Sequence, residues 1–167
     1  MLPVALGQLG EHVVVGAELV AVRSRVGGYL EQVHFQDGTL VKTGDLLFTI
    51  DQRPYQASYD TASAQVDVAR SLEEFTKSQL ERAQSLQRSG NLAVASLDDR
   101  RRESIAAEAQ LQGAEASLRS AKLNLEFTQI KAPISGRIDR RLVSVGNLVQ
   151  ADQTVLTALI EARRLQA

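Results

Sequence analysis

His12 and His34 are the only imidazoles in the chain, and no cysteine accompanies them. Acid–base catalysis or metal ligation needs several such groups converging on one point. These two are isolated in sequence, and each reads as an ordinary surface or strand residue. Gly27-Gly28 lacks the spacing of a phosphate-binding loop and does not lead into a helix, so nucleotide chemistry is not indicated. The run Asp98-Asp-Arg-Arg-Arg-Glu103 has the composition of a docking patch. It reads more simply as a solvated helical turn whose charges pair along the helix. No catalytic constellation emerges from these residues. The chain therefore has to be understood through the elements that carry them.

Sliding the sequence along itself until Val26 lies on Ile134 exposes a repeat. Val26-Gly-Gly-Tyr-Leu30 then matches Ile134-Ser-Gly-Arg-Ile138, and Asp37-Gly-Thr-Leu-Val41 matches Val145-Gly-Asn-Leu-Val149 without a gap. A repeated half-motif predicts one pseudo-symmetric domain, with whatever lies between the copies as an insertion. Glycines at 28, 38 and 44 in the first copy, and at 136 and 146 in the second, are expected to serve its turns. Asp152 takes the place of Gly44 and can fill the same turn at some cost.

Composition bounds the rest. The net charge of −1 provides no footprint for nucleic acid or acidic lipid. Aromatics are 4% and tryptophan is absent, which fits long exposed helices better than a thick core. No apolar run reaches the roughly eighteen residues that a spanning helix needs. The start, Met1-Leu-Pro-Val-Ala-Leu-Gly, lacks the features of a signal peptide. Cysteine is absent, which leaves no disulfide, thiolate zinc site or lipid-anchoring thiol.

Residues 13–22 are rich in β-branched side chains and predict a strand. Short apolar runs broken by Gly27-Gly28, Asp37-Gly38 and Thr43-Gly44-Asp45 predict a small sandwich or barrel. Asp51 is then expected to cap a helix with Pro54 in its first turn, running from about Tyr55 to Arg88. Its seam is Tyr55, Tyr59, Ala62, Val66 and Ala69, continued by Leu80 and Ala83, with Leu72 and Phe75 one position off register. Ser89-Gly90-Asn91 ends it. A second helix is expected to start near Ser96, with Asp99 completing a capping box. Its seam of Leu97, Ser104, Leu111, Leu118 and Leu125, with Ala107, Ala114 and Ala121, is a heptad pattern whose small residues allow a close neighbour. Two such helices make an antiparallel hairpin roughly 45 Å long. The β pattern resumes at Phe127 and runs through Leu142-Val143, Leu148-Val149 and Val155-Leu156.

Tyr29-Leu-Glu-Gln-Val33, Phe35-Gln-Asp-Gly38, Val41-Lys-Thr-Gly-Asp-Leu-Leu47 and Ile50-Asp51 resemble the first half of a lipoyl/biotinyl-type sandwich. Asn124-Leu-Glu-Phe-Thr128, Ile130-Lys-Ala-Pro-Ile-Ser-Gly136 and Val145-Gly-Asn-Leu-Val149 resemble the second. The whole of about residues 20–160 resembles the periplasmic adaptors, or membrane fusion proteins, of resistance-nodulation-division (RND) multidrug efflux pumps. The implied fold is α+β: a lipoyl/biotinyl-like β-sandwich of two half-motifs with a long antiparallel coiled-coil hairpin inserted between them. Residues 1–21 would be a remnant of a flanking β region, 22–52 the first half, 53–126 the hairpin with its tip at about 88–95, 127–160 the second half, and 161–167 a tail.

By resemblance the protein is a non-enzymatic adaptor without catalytic residues, cofactor or metal. It would join an inner-membrane transporter to an outer-membrane channel, self-associate into a ring, hexameric in the full adaptor, and work in the periplasm at the inner membrane. The family's tip pattern of arginine, leucine and serine falls on Arg82, Leu86 and Ala93. Alanine at the third place means a weaker channel contact, or substitution by Ser89 or Ser96. The chain lacks the further domains and anchor of full adaptors and resembles a truncated product or fragment. Two other readings are an adaptor for an ABC-type exporter, secretion or metal-efflux system, and a lipoyl or biotinyl carrier domain. One methionine and two histidines speak against metal handling. A carrier needs its lysine on a tight turn between the halves, and neither Lys42 nor Lys131 lies there.

Overall fold

The repeat visible in the sequence is a repeat of backbone hydrogen bonds. In the computed structural model, which describes residues 19–161, the amide of Gly38 donates to Ile138 O and that of Ile138 to Thr39 O. The second copy answers in kind: Gly146 N donates to Leu30 O, and Leu30 N to Asn147 O. Likewise Gly44 N donates to Ala132 O, and Asp152 N to Ser24 O, each at 2.8 Å. Each of these bonds has its counterpart in the other half, and all of them cross between halves. Neither half can satisfy its backbone alone, so the two fold as one unit.

The strands are β1 (Leu19–Arg23), β2 (Gly28–Val33), β3 (Leu40–Val41), β4 (Leu46–Ile50), β5 (Gln129–Lys131), β6 (Gly136–Ile138), β7 (Leu148–Val149) and β8 (Val155–Ile160). They form two four-stranded sheets, β1-β8-β6-β3 and β5-β4-β2-β7, so each sheet takes strands from both halves. All pairings are antiparallel. Between the sheets lie Leu30, Leu47, Phe48, Ile50, Ile138, Val149, Leu156 and Leu159, all essentially inaccessible to solvent. Leu30 and Ile138 are repeat equivalents, as are Val41 and Val149, and both pairs are core residues. Phe35 meets Phe48 edge-on at 5.1 Å.

Three of the expected turn glycines, Gly38, Gly44 and Gly146, adopt φ of 79°, 91° and 91°. Asp152, standing where the repeat would place a glycine, is the one non-glycine with positive φ among the described residues, at 60°. The expected exchange of Gly for Asp at that turn therefore holds. Gly28 and Gly136 differ from expectation: each is the first residue of a strand, β2 or β6. What excludes a side chain there is crowding by the neighbouring strand of the same sheet, joined at Gly28 by a φ of 153° that L side chains rarely adopt. A Cβ on Gly28 would lie 2.6 Å from Ile50 Cγ2, and one on Gly136 would drive into the Ile160 carbonyl.

Between β4 and β5 the chain makes two helices, α1 (Arg53–Arg88) and α2 (Val94–Phe127). Asp51 lies one residue before the cap position of α1 but still supplies an acceptor to its first amide. Gln52 holds the cap position, and Asp51 Oδ1 accepts from the Arg53 amide at 3.1 Å and from Arg53 Nε at 2.9 Å. That hydrogen-bonded guanidinium lowers the Asp51 carboxyl to a pKa of about 2. The exit is as expected: Gly90 turns at φ 79° and Asn91 N returns to Leu86 O.

The start of α2 lies earlier than the Ser96 cap predicted. Ala93, in extended conformation, holds the cap position without a side-chain bond, and the amides of Ser96 and Leu97 already bond to its carbonyl. Asp98 and Asp99 thus lie beyond the first turn and pair with Arg101 and Arg102, as Arg100 does with Glu103. The charged run is a solvated helix face. Phe127 ends α2 rather than opening a strand, with Arg25 stacked 5.0 Å over its ring. Leu142-Val143 forms a bend held by Leu142 N to Leu156 O, not a strand.

α1 buries Ala62, Val66, Ala69, Thr76 and Ala83, and α2 turns Leu97, Ser104, Ala107, Leu111, Ala114, Leu118, Ala121 and Leu125 toward it. That α2 set is the expected seam, residue for residue. Arg70 reaches Glu115 across the pair at 3.6 Å, which marks the antiparallel register. Residues 19–21 belong to β1 and pair with β8, so the sandwich begins before residue 22. The expected strand over 13–18, His12, the flanking remnant before residue 19 and the tail after 161 lie outside the described residues.

Candidate docking surface on the helix pair

Arg82 and Leu86 stand one turn apart on α1 and share a shallow groove with Ser78, Glu81 and Ser85. The fold positions them by subtraction. Ala83 between them turns into the seam, so its neighbours must point outward. Arg82 folds back along its own helix, Nη2 donating to Ser78 Oγ at 3.2 Å. Leu86 is 48% exposed, far more than a leucine that serves only the seam. Ala93 is exposed at the start of α2, across the connecting turn, and does not line that groove. Of the two serines that could stand in for it, Ser89 spends its hydroxyl on the Leu86 carbonyl at 2.8 Å. Ser96 is exposed in the first turn of α2.

The remaining candidates do not converge. His34 lies on the sandwich surface with Nε2 2.8 Å from Thr49 Oγ1. Lys42 and Lys131 are exposed on the β portion, each apart from the points where the helices leave and rejoin the sheets. Among the described residues no group of three His, Cys, Asp or Glu side chains could hold a metal ion. No described helix is long and apolar enough to cross a membrane. One further concavity lies between edge strands β1 and β5, where Val22 and Ile130 form an apolar floor and Arg23, Arg25 and Lys131 supply cations. Sequence reading missed it because it depends on two strands remote in the chain lying side by side. It also missed the outward stripe of Val68, Leu72 and Phe75, although the off-register placement of Leu72 and Phe75 was the signal for it.

Two interlocked sheets, a sequence repeat exchanged between them, and a long inserted helix pair define a β-sandwich with a helical arm. Residues 18–161 match the family described as RND MFP (membrane fusion protein), barrel-sandwich hybrid domain, and the chain belongs to that family. It is 38% identical over 152 residues to the multidrug resistance protein MdtA of Pectobacterium carotovorum, covering 91% of this chain and 36% of that protein. Among solved structures it is similar to a MacA–MexA chimera carrying the Pseudomonas aeruginosa MexA α-hairpin domain. That match has 27% identity and a TM-score of 0.61 over 86% of this chain and 48% of the other. A putative efflux transporter from Bacteroides eggerthii shares the fold at 24% identity and a TM-score of 0.66, covering 88% of this chain and 40% of that one. The chain spans about a third of the length of the curated relatives it matches.

Proposed function

We propose that this chain is the sandwich-and-arm portion of a non-enzymatic periplasmic adaptor. It would link an inner-membrane RND transporter to an outer-membrane channel for drug efflux. The observation that carries this reading is the replacement of a tight turn between two lipoyl-like halves by a long helical arm. A swinging-arm carrier needs a modifiable lysine at that junction, and here the chain extends rigid helices instead. On this reading residues 53–126 form a coiled-coil hairpin, with 22–52 and 127–160 as the split sandwich that sets its direction. Gly28, Gly38, Gly44, Gly136 and Gly146 hold the sandwich's close approaches and turns. The hairpins and sandwiches of several copies would line a ring, six in the full adaptor, and Arg82, Leu86 and the Ala93 region would meet the channel. Two features support the tip assignment: the exposure of Leu86, and an arginine free to reorient from a hydrogen bond within its own helix.

The test is made in the full-length protein. Arg82→Glu and Leu86→Asp should each reduce pump-dependent drug tolerance to the level of an adaptor deletion, with adaptor abundance on immunoblots unchanged. Both residues are exposed, so folding should survive. Undiminished tolerance in both variants would remove the tip from the channel contact.

A further inference from the structure

The two copies of the repeat share their backbone bonds but differ where the first copy meets the helices. Ser24-Arg-Val-Gly27, between β1 and β2, corresponds to Ala132-Pro-Ile-Ser135, between β5 and β6. Ser24 and Ala132 are both small and buried, and Val26 and Ile134 both belong to the core or pack against it. The positions that differ in chemistry are Arg25 against Pro133 and Gly27 against Ser135. Those are the two positions of the first loop that touch the roots of the arm. Tyr55, in the first turn of α1, donates its hydroxyl to the Gly27 carbonyl. The Arg25 guanidinium stacks on Phe127, the last residue of α2. One four-residue loop thus holds the beginning and the end of the inserted helix pair.

The second copy uses the same place differently. Ser135 Oγ accepts from the Thr43 amide at 2.9 Å, so its side chain serves the sandwich itself. A Cβ on Gly27 would stand 3.3 Å from Val149 O and 3.8 Å from Ala151 N, and Ala151 is the repeat counterpart of Thr43. The space filled by a serine in one copy is therefore left open in the other, whose carbonyl is given to Tyr55. Pro133, the counterpart of Arg25, is exposed and has no cation to place on a ring. A departure from an otherwise repeated pattern, confined to the arm-facing positions, marks them as serving the arm.

A separate contact joins the two roots to each other. Gln52 Nε2, at the cap of α1, donates to Thr128 Oγ1 at 3.0 Å. Thr128 is fully buried at the cap of α2, and its hydroxyl donates to Leu125 O at 2.6 Å. This contact lies on the covalent path from β4 into α1 and from α2 into β5. It holds the roots together, but a lever is given a direction only by contacts away from its own attachments. The β1–β2 loop supplies such contacts, and its footing is firm. Asp152 N donates to Ser24 O at 2.8 Å, and Ser24 Oγ to Val26 O at 2.6 Å.

We propose that Arg25, Gly27 and Tyr55 are positioning residues, through which the β1–β2 loop braces both helix roots and sets the direction of the arm relative to the sandwich. The brace deepens the adaptor reading and rests on it for its role in a pump. Its existence is tested on this chain alone.

The chain has no cysteine, so spin labels can be placed singly or in pairs. Gln36→Cys in the sandwich and Lys77→Cys on α1, both exposed, report the arm's direction in pulsed electron–electron distance measurements. Gln36→Cys with Gln150→Cys, also exposed, reports the sandwich alone. Arg25→Ala combined with Tyr55→Phe should broaden the sandwich-to-arm distance distribution at least two-fold. The sandwich pair and the helical circular dichroism should not change. Arg25→Lys keeps a cation at the ring and should retain the narrow distribution. An unchanged sandwich-to-arm width in the double variant, or equal broadening of both label pairs, would overturn the proposal. A broadened arm distribution with fully drug-tolerant Arg82→Glu and Leu86→Asp variants would uphold the brace and defeat the adaptor reading. An unchanged distribution with drug-sensitive tip variants would do the reverse.

Discussion

The sandwich and the helix pair are built from the same residue types and use them in opposite ways. In the sandwich, phenylalanine, leucine and isoleucine go inside, and the largest fully buried side chains of the described residues are all there. In the helix pair the buried positions are Ala62, Val66, Ala69, Thr76, Ala83 and Ala107, while Leu72, Phe75 and Leu86 face outward. Two helices alone cannot enclose a core thick enough for large side chains, so their contact is thin and close. The sandwich is therefore where this chain holds its stability. The helix pair is where it leaves large apolar side chains exposed, and its small buried residues let the two helices approach closely.

Phe48 and Phe75 offer the widest break in this comparison. Phe48→Ala removes a fully buried ring that meets Phe35 and should cost about 3–5 kcal/mol of unfolding free energy. Phe75→Ala, at a position 56% exposed, should change it by less than about 0.5 kcal/mol, because no cavity forms and alanine is the better helix former. Urea unfolding at low protein concentration, where self-association does not contribute, measures both. Similar losses in the two variants would mean that the arm has a core of its own.

The glycines sharpen the same contrast at a smaller scale. Gly136→Ala forces a methyl group against the Ile160 backbone, which cannot swing aside as a side chain could, and should cost about 1–3 kcal/mol. Gly113→Ala enters open space on a helix and should gain up to about 1 kcal/mol in the monomer. Opposite signs in thermal unfolding are the expected result, and equal signs would defeat the distinction between a crowded sandwich and an open arm.

These glycines also mark the limit of what the sequence discloses. The positive-φ turns at Gly38, Gly44, Gly146 and Asp152 were legible because a turn is local and the repeat supplied two readings of each. The α2 seam was legible because heptad spacing directly encodes which side faces a neighbour. Gly136 was read as a turn residue because its true constraint, the Ile160 carbonyl, comes from a strand distant in the sequence. The exchange of strands between halves was hidden for the same reason. Helix starts were misplaced by one to a few residues because Asp51 and Ser96 have the right chemistry for caps. At both ends the backbone begins the helix at a residue without it. The outward stripe shows in the sequence only as the off-register placement of Leu72 and Phe75, since positions off a single seam look like noise when one packed face is assumed.

The smallest effect concerns the tip. Ala93 already has the extended backbone of a helix cap, φ −69° and ψ 144°, yet contributes no side-chain oxygen. Serine at this position could accept from an amide in the first turn of α2 without any change of backbone, gaining about 1 kcal/mol for the helix start. Ala93→Gly is the control, since it loosens the turn without supplying an acceptor. Because the tip is remote from the sandwich core, the gain should appear less in global unfolding than in slower hydrogen exchange at amides 94–97. If Ala93→Ser protects those amides and Ala93→Gly does not, the cap is made by the hydroxyl. The tip can then be stiffened without touching Arg82 or Leu86. That separates rigidity from contact chemistry: a stiffer tip with unchanged drug tolerance would assign the docking to Arg82 and Leu86 alone, and a change in tolerance would show that flexibility between the helices takes part in it.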